Sequence, residues 1–370
     1  MKDDSLLYRV ALSMVPGIGG VLARNLVAYV GSVEGIFREP VHKLVKIPGI
    51  GEVNAHRIRE SGILSRAAEE LQYIEKNGIS AIFYLDDNFP RRFRNCPDAP
   101  VLFYYKGTAN LDAARVISIV GTRNATDYGR QMCDELLKEL SARGYDLLVV
   151  SGLAYGIDIQ AHKSSLKYNL PTVGVLGHGL DKLYPSEHVR TAKAMLEKGG
   201  LMSDFPSKTK IDPPNFIRRN RLIAGLSDAV VVVESGEKGG ALITADIGAS
   251  YDRDVCAFPG RAGDIYSRGC NQLIKKNIAA LIENAADLEY VLGWEDPRNK
   301  GVPVQQQLFV ELTGDQQNVV DQLKKEEKID IDNLASELEM PVRKLSSLLL
   351  ELEFKGVVTA LPGNQYKIKA

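Results

Sequence analysis

Three short stretches of this 370-residue sequence set glycine beside a hydroxyl or guanidinium donor: Gly121-Thr122-Arg123, Ser151-Gly152, and Gly239-Gly240 with Thr244 one helical turn on. Glycine lets an anion reach backbone N–H groups, and the hydroxyl and guanidinium groups add strong hydrogen bonds to it. The chemistry that suits such turns is phosphate binding. Arg218-Arg219-Asn220-Arg221 supplies a cluster of cations upstream of the third turn. Taken singly each turn says little, because glycine at a strand–helix junction often serves backbone geometry alone and surface arginines are commonly solvated or ion-paired. Several on one sheet edge point to a groove that follows successive phosphates. The first turn lacks the spacing Gly-x-Gly-x-x-Gly, and no Walker lysine precedes a serine or threonine, so no dinucleotide or other cofactor is expected. Catalysis would need an acid near the glycine turn, and Glu234 and Glu237 are the candidates. An enzyme that hydrolyses a nucleotide or phosphoribosyl compound is therefore the alternative to a binding protein. Cys96, Cys133, Cys256 and Cys270 form no Cys-x-x-Cys pair and the five histidines show no His-x-x-x-His spacing. Neither a metal site nor a disulfide framework is indicated, and the thiols are expected buried and reduced.

The elements that must position these turns alternate. Apolar runs at Val116–Val120, Asp146–Val150 and Ala229–Val233 lead into the three turns, with a further run at Thr172–Leu176 and helical patterns from about Tyr128 to Arg143 and through Ala161-His162. Leu201–Phe205, Val255–Phe258 and Ala279–Ile282 add strand candidates, and Asp212-Pro213 reads as a helix start. Four consecutive valines, Val230 to Val233, suit a strand covered on both faces. This alternation predicts an α/β fold, a Rossmann-type doubly wound parallel sheet whose ligands bind outside the carboxyl ends of the strands. Two aromatic-rich strands, Ile79–Leu85 and Val101–Tyr105, read as an extension of its edge.

Val15-Pro-Gly-Ile-Gly19 is echoed by Ile47-Pro-Gly-Ile-Gly51, each followed by apolar residues at helical spacing. The repeat resembles a tandem helix-hairpin-helix (SAM-like) domain, whose turns either contact phosphate or only pack on each other. At the other end, a polar, proline-bearing stretch from Trp294 to Gln307 reads as a linker. Three helical patterns and two short strands around Pro362-Gly363-Asn364 follow, in the order of a winged helix. Its third helix mixes Arg343 and Lys344 with Glu351 and Glu353, which argues against tight duplex binding and leaves DNA reading and a protein-contact or regulatory role both open. The expected domains are residues 1–75 (helical), 76–293 (extended Rossmann), 294–310 (linker) and 311–370 (winged helix).

The formal net charge is -1 and the hydrophobic content 45%, so cores can be well filled and any nucleic-acid site must be a local basic groove. With no cationic-then-apolar N-terminus and no apolar run of spanning length, a cytoplasmic protein without membrane contact is expected.

Gly121-Thr-Arg-Asn-Ala-Thr-Asp-Tyr-Gly129, Ser151-Gly-Leu-Ala-Tyr-Gly-Ile-Asp158, Leu183-Tyr-Pro185, Arg219-Asn-Arg-Leu-Ile-Ala-Gly-Leu226, Ala241-Leu-Ile-Thr-Ala245 and Phe258-Pro-Gly260 together resemble the DNA-processing protein A (DprA, or Smf) family. The match runs in order through the Rossmann region, and the flanking domains fit the family's architecture. The resemblance implies a homodimer, paired through the Rossmann domain, that binds single-stranded DNA and passes it to the RecA recombinase in natural transformation, without catalysis. It implies DNA- or phosphate-binding roles for Gly121, Thr122, Arg123, Thr126, Ser151, Gly152, Tyr155, Arg219, Asn220, Arg221, Gly239, Gly240, Thr244 and Asn271. There are departures. Tyr155 stands where many members carry Lys or Arg, which removes a phosphate contact and offers a stacking surface. Gly239-Gly240-Ala241 replaces a Ser-Gly-Ser and loses two hydroxyls, and Ile217 replaces a frequent proline.

Overall fold

The computed structural model describes residues 4–295, 312–324, 329–355, 357–361 and 364–368. Residues up to 295 and residues from 312 belong to two compact units, taken separately below.

The first unit opens with helices α1 (Asp4–Met14), α2 (Gly20–Val30), α3 (Val33–Arg38), α4 (Val41–Leu44), α5 (Glu52–Arg59) and α6 (Ser61–Asn77). Gly17 and Gly49, the turn glycines of the repeat, both take left-handed φ values, +83° and +84°. A Cβ on Gly17 would lie 2.8 Å from Asn54 and Arg57 of α5, and one on Gly49 would lie 2.6 Å from Leu22 of α2. Each hairpin turn thus abuts the second helix of the other copy. The N-terminus of α2 also faces the Ala99 carbonyl, and Arg24 donates to the same atom at 3.1 Å.

The sheet that follows has nine strands: β1 (Ser80–Phe83), β2 (Leu102–Gly107), β3 (Arg115–Val120), β4 (Leu147–Ser151), β5 (Thr172–Val175), β6 (Gly200–Ser203), β7 (Ala229–Val232), β8 (Asp254–Ala257) and β9 (Ala280–Leu281). Their order is β1-β2-β6-β5-β4-β3-β7-β8-β9; β2 pairs antiparallel with β1 and β6, and every other pairing is parallel. The order in which successive strands are added reverses at β3, which pairs in parallel with β4 on one side and β7 on the other, for instance Ser118 with Val150 and with Val230. That makes the gap between the carboxyl ends of β3 and β7 the topological switch point, where open α/β sheets bind ligands.

The helices are α7 (Arg91–Arg94), α8 (Asp127–Arg143), α9 (Ile157–Lys167), α10 (Val189–Lys198), α11 (Pro213–Leu226), α12 (Gly240–Ser250), α13 (Arg268–Lys275) and α14 (Ala285–Leu292). Strand side chains alternate between two cores, as period-two geometry requires. Val116, Val120, Val230 and Val232 pack with α11, α12 and α13, whereas Ile117, Ile119, Val231 and Val233 pack with α8, α9 and α14. The valine run is covered on both faces, as its sequence predicts. The β1–β2 ribbon alternates in the same way: Ile82, Phe103 and Tyr105 join the sheet core, while Phe83, Leu102 and Tyr104 complete the core of the helical segment. The boundary expected at residue 75 falls inside α6, and Arg66 and Glu70 of that helix bond Ser207 beside the sheet. All four cysteines are buried and free, and burial pushes the Cys256 and Cys270 thiols up to about 12.

The second unit contains α15 (Gly314–Leu323), α16 (Ile331–Glu337) and α17 (Val342–Phe354) with β10 (Ile329–Asp330), β11 (Val358–Leu361) and β12 (Gln365–Ile368), in the sheet order β10-β12-β11. This is a winged helix. Its core is Val319, Leu323, Leu334, Leu345, Leu349 and Leu352, and the Lys344 ammonium pairs with Asp315 at 2.5 Å. The expected linker lies, from residue 296 on, outside the described residues, as do Pro362 and Gly363 of the expected turn.

Candidate nucleic-acid interface

A cavity of about 650 Å³ opens at the switch point. One wall is the turn after β3. Gly121 is required there by close approach, since a Cβ would lie 2.5 Å from Ile157 and 3.0 Å from the Glu234 carbonyl. The Thr122 N–H donates to that carbonyl at 2.7 Å, and the Thr122 hydroxyl accepts from Asn124 N–H at 3.2 Å, which folds the turn and leaves Arg123 exposed. Gly156 underpins it with φ +77°; a Cβ there would lie 2.1 Å from the Thr122 carbonyl. The Arg123 guanidinium stands 5.9 Å from the Phe216 ring centre and makes no ion pair with a described residue.

The opposite wall is the N-terminus of α12. Its N-cap, Gly239, supplies no side-chain cap, so the first-turn N–H groups at Gly240 and Ala241 face the cavity as orphan donors with the positive end of the helix dipole behind them. Thr244, one turn in, is 2% exposed and also lines it.

One face of α11 completes the site. Phe216, Arg219, Asn220 and Ile223 recur at i, i+3, i+4 and i+7 and all line the cavity. Arg219 is 3% exposed and donates from Nη1 to the carbonyls of Gly152, at 2.6 Å, and Val175. The buried Asp158 carboxyl faces it across Gly152, where an added Cβ would meet Asp158 at 2.5 Å and Arg219 at 2.3 Å. Burial holds Asp158 above the usual carboxylate range and lowers Arg219 to about 10, against the pull of the opposite charge.

The structure therefore gathers Gly121, Thr122, Arg123, Arg219, Asn220, Gly239, Gly240 and Thr244 on one cavity. Arg219 enters as its buried floor, in contrast to the exposed cation the sequence suggests. Six expected positions lie elsewhere. Arg221, two residues and so about 200° around the helix from Arg219, pairs with Asp204 and the Asp98 carbonyl. Ser151 is fully buried and its hydroxyl donates to the Ile119 carbonyl at 2.6 Å. Gly152 is packed beneath the Asp158 and Arg219 side chains. Tyr155 stacks edge-on against His188, 5.0 Å between centres. Thr126 caps α8, and its N–H and hydroxyl donate to the Glu234 carboxylate at 2.9 and 2.5 Å. Asn271 bonds both the N–H and the carbonyl of Gly260, at 3.1 and 2.9 Å. Of the two acids proposed for catalysis, Glu234 is engaged by Thr126 and Glu237 faces Arg268 at 3.9 Å.

Sequence reasoning passed over Phe216 and Tyr184, whose rings lie 5.9 Å apart at the cavity mouth. Phe216 was legible from the helical spacing. Tyr184, thirty-two residues away in sequence, carries no such signal.

Residues 80–292 match the family model of DNA recombination-mediator protein A, residues 306–364 the DprA winged helix domain and residues 10–61 the SAM-like helix-hairpin-helix tandem. The chain is 30% identical to Protein Smf of Synechocystis over 99% of its own length and 100% of the relative's, and 31% identical to Protein Smf of Escherichia coli over 86% and 88%. Its fold resembles the X-ray structure of DNA processing protein A from Streptococcus pneumoniae, with a TM-score of 0.62 and 27% identity over 77% of this chain and 96% of that one. It also resembles DNA processing protein A from Helicobacter pylori, a protein described for its single-stranded DNA binding mode, with a TM-score of 0.52 and 28% identity over 58% and 95%. With its sheet, winged helix and helical segment all matched in order, the chain belongs to the DNA recombination-mediator protein A (DprA/Smf) family of DNA-processing proteins.

Proposed function

We propose that this protein binds single-stranded DNA without reading its sequence, holds it by phosphate at the carboxyl end of the sheet, and delivers it to the RecA recombinase in recombination and natural transformation. The observation that carries the reading is the switch-point cavity, where orphan N–H groups of α12 and the Arg123 guanidinium converge beside Phe216 and Tyr184. Backbone donors and guanidinium groups recognise phosphate whatever the base, and aromatic faces stack on any base. The binding mode described for the Helicobacter pylori relative supports the same class of ligand. A homodimer formed through the sheet-bearing unit belongs to this proposal.

The test is a salt series comparing oligo-dT with duplex DNA of equal length. Single strands are expected to bind more tightly, and Arg123→Ala to weaken them while lowering the log–log salt slope by about 0.7, the value of one phosphate contact. Equal affinity for duplex, or a slope indifferent to Arg123→Ala, would count against the proposal. Sedimentation gives the oligomeric state, and RecA filament formation on single strands with and without the protein tests delivery.

A further inference from the structure

A second cavity, of about 1060 Å³, opens on the other side of the same β3 turn. Gly121 to Asn124 line the first cavity, and Thr126 to Tyr128 line the second. Thr126 follows Thr122 by four positions, so their backbones lie at most about 14 Å apart.

The walls of this cavity are built rather than loose. Tyr128, 40% exposed, donates its hydroxyl to the Pro259 carbonyl at 2.6 Å, which fixes the edge of its ring. The facing loop, Gly260 to Ser267, is pinned at both ends. Asn271 bonds both backbone groups of Gly260, and the Tyr266 carbonyl accepts from Ser235 N–H at 2.7 Å. Between those pins Ile265 stands 67% exposed beside Tyr266.

The charge of the lining differs from that of the first cavity. Asp127 and Asp264 stand at the rim, and the Glu234 carboxylate, 3% exposed, lies at the back, with Arg261 the sole cation among the lining residues. A phosphate is disfavoured there. A flat, uncharged group is suited to the tyrosine rings, and a base N–H, such as N3–H of thymine or uracil, can donate to the carboxylates.

From this geometry, and resting on single-strand binding at the first cavity, we infer that the second cavity takes a nucleobase of the same strand. The β3 turn then divides the strand's chemistry, with phosphate held on the Arg123 side and a base between Tyr128 and Tyr266 on the other.

The experiment uses the full chain. Tyr266→Ala is expected to weaken oligo-dT binding about tenfold, within the range for loss of one stacked base, with no change in salt slope because no phosphate contact is lost. Tyr266→Phe keeps the ring and restores affinity. Irradiating the wild-type complex with 5-iodouracil-substituted oligonucleotides should crosslink Tyr128 or Tyr266, as read by peptide mapping. Intact Arg123-dependent binding with no crosslink to either tyrosine, and with Tyr266→Ala unaltered, would overturn the base pocket alone and leave the acid-rimmed cavity to a protein segment. Failure of the wild type to bind single strands at all would remove the function proposed above as well.

Discussion

Arg219 and Arg123 line one cavity, yet the structure gives them different work, and paired substitutions separate the two roles. Arg219→Ala removes the donor from the Gly152 and Val175 carbonyls and leaves the Asp158 carboxyl buried without its counter-charge. Breaking a buried pair by deleting one partner costs about 3–5 kcal/mol. At about 2 °C per kcal/mol for a unit of this size, Tm should fall by about 6–10 °C. The loss has a pH signature. With Arg219 gone, burial raises the folded-state Asp158 value further above the unfolded one, so the penalty shrinks as the pH falls and the carboxyl takes up a proton. Calorimetry at pH 7.5 and 5 should therefore show a smaller deficit at pH 5, and Asp158→Asn with Arg219→Met should recover most of the stability. Arg123→Ala, at an exposed position with no ion pair to a described residue, should leave Tm within about 1 °C, in keeping with a surface substitution, and change the salt slope of DNA binding. The reasoning is refuted if Arg219→Ala leaves Tm in place and lowers the salt slope as Arg123→Ala does, because Arg219 would then be reaching phosphate itself.

Three further predictions concern His162, Gly156 and nucleotide hydrolysis. Burial, with His188 and Arg219 nearby, lowers the His162 imidazole to about 3. Since the unfolded value lies near 6.5, the unfolded chain takes up the proton first; His162's contribution is full above about pH 6.5 and declines toward pH 3. About 2 kcal/mol should be lost by pH 5, and urea midpoints of wild type and His162→Gln between pH 7.5 and 5 check that His162→Gln flattens the decline. Gly156→Ala puts a Cβ against the Thr122 carbonyl at a left-handed φ and should destabilise by about 2–4 kcal/mol while weakening DNA binding, as seen by chemical denaturation and fluorescence anisotropy. Purified protein incubated with AMP should release no adenine by chromatography; release abolished in Glu234→Gln would replace the binding reading with an enzymatic one.

The parts of the fold carried by local pattern were readable from the chain. Val230 to Val233 announced a doubly covered strand, and the alternation of strands with glycine turns announced the switch point. What the sequence withheld depends on distant partners. The Ser151 hydroxyl looks like a free donor until β3 places the Ile119 carbonyl beside it. Arg219 looks like a surface cation until Asp158 and two carbonyls surround it. Arg221 is the exception, since the 100° step of a helix already sets it apart from Arg219 and Asn220. The loop at Gly260 to Ser267, with neither periodicity nor a charge cluster, offered no local sign of the second cavity.

The β1–β2 ribbon imposes a limit on how this chain can be edited. Leu102 and Tyr104 serve one core, Phe103 and Tyr105 the other, so one inserted residue would hand both cores the wrong set of side chains at once. A cut after Asn77 would leave Phe83, Leu102 and Tyr104 without cover, at about 1.5–3 kcal/mol for each large apolar side chain exposed. Taken together that approaches the whole margin by which a typical domain is stable. The helical segment and the sheet thus share one fate as an expression unit, whatever their separate sequence signatures suggest.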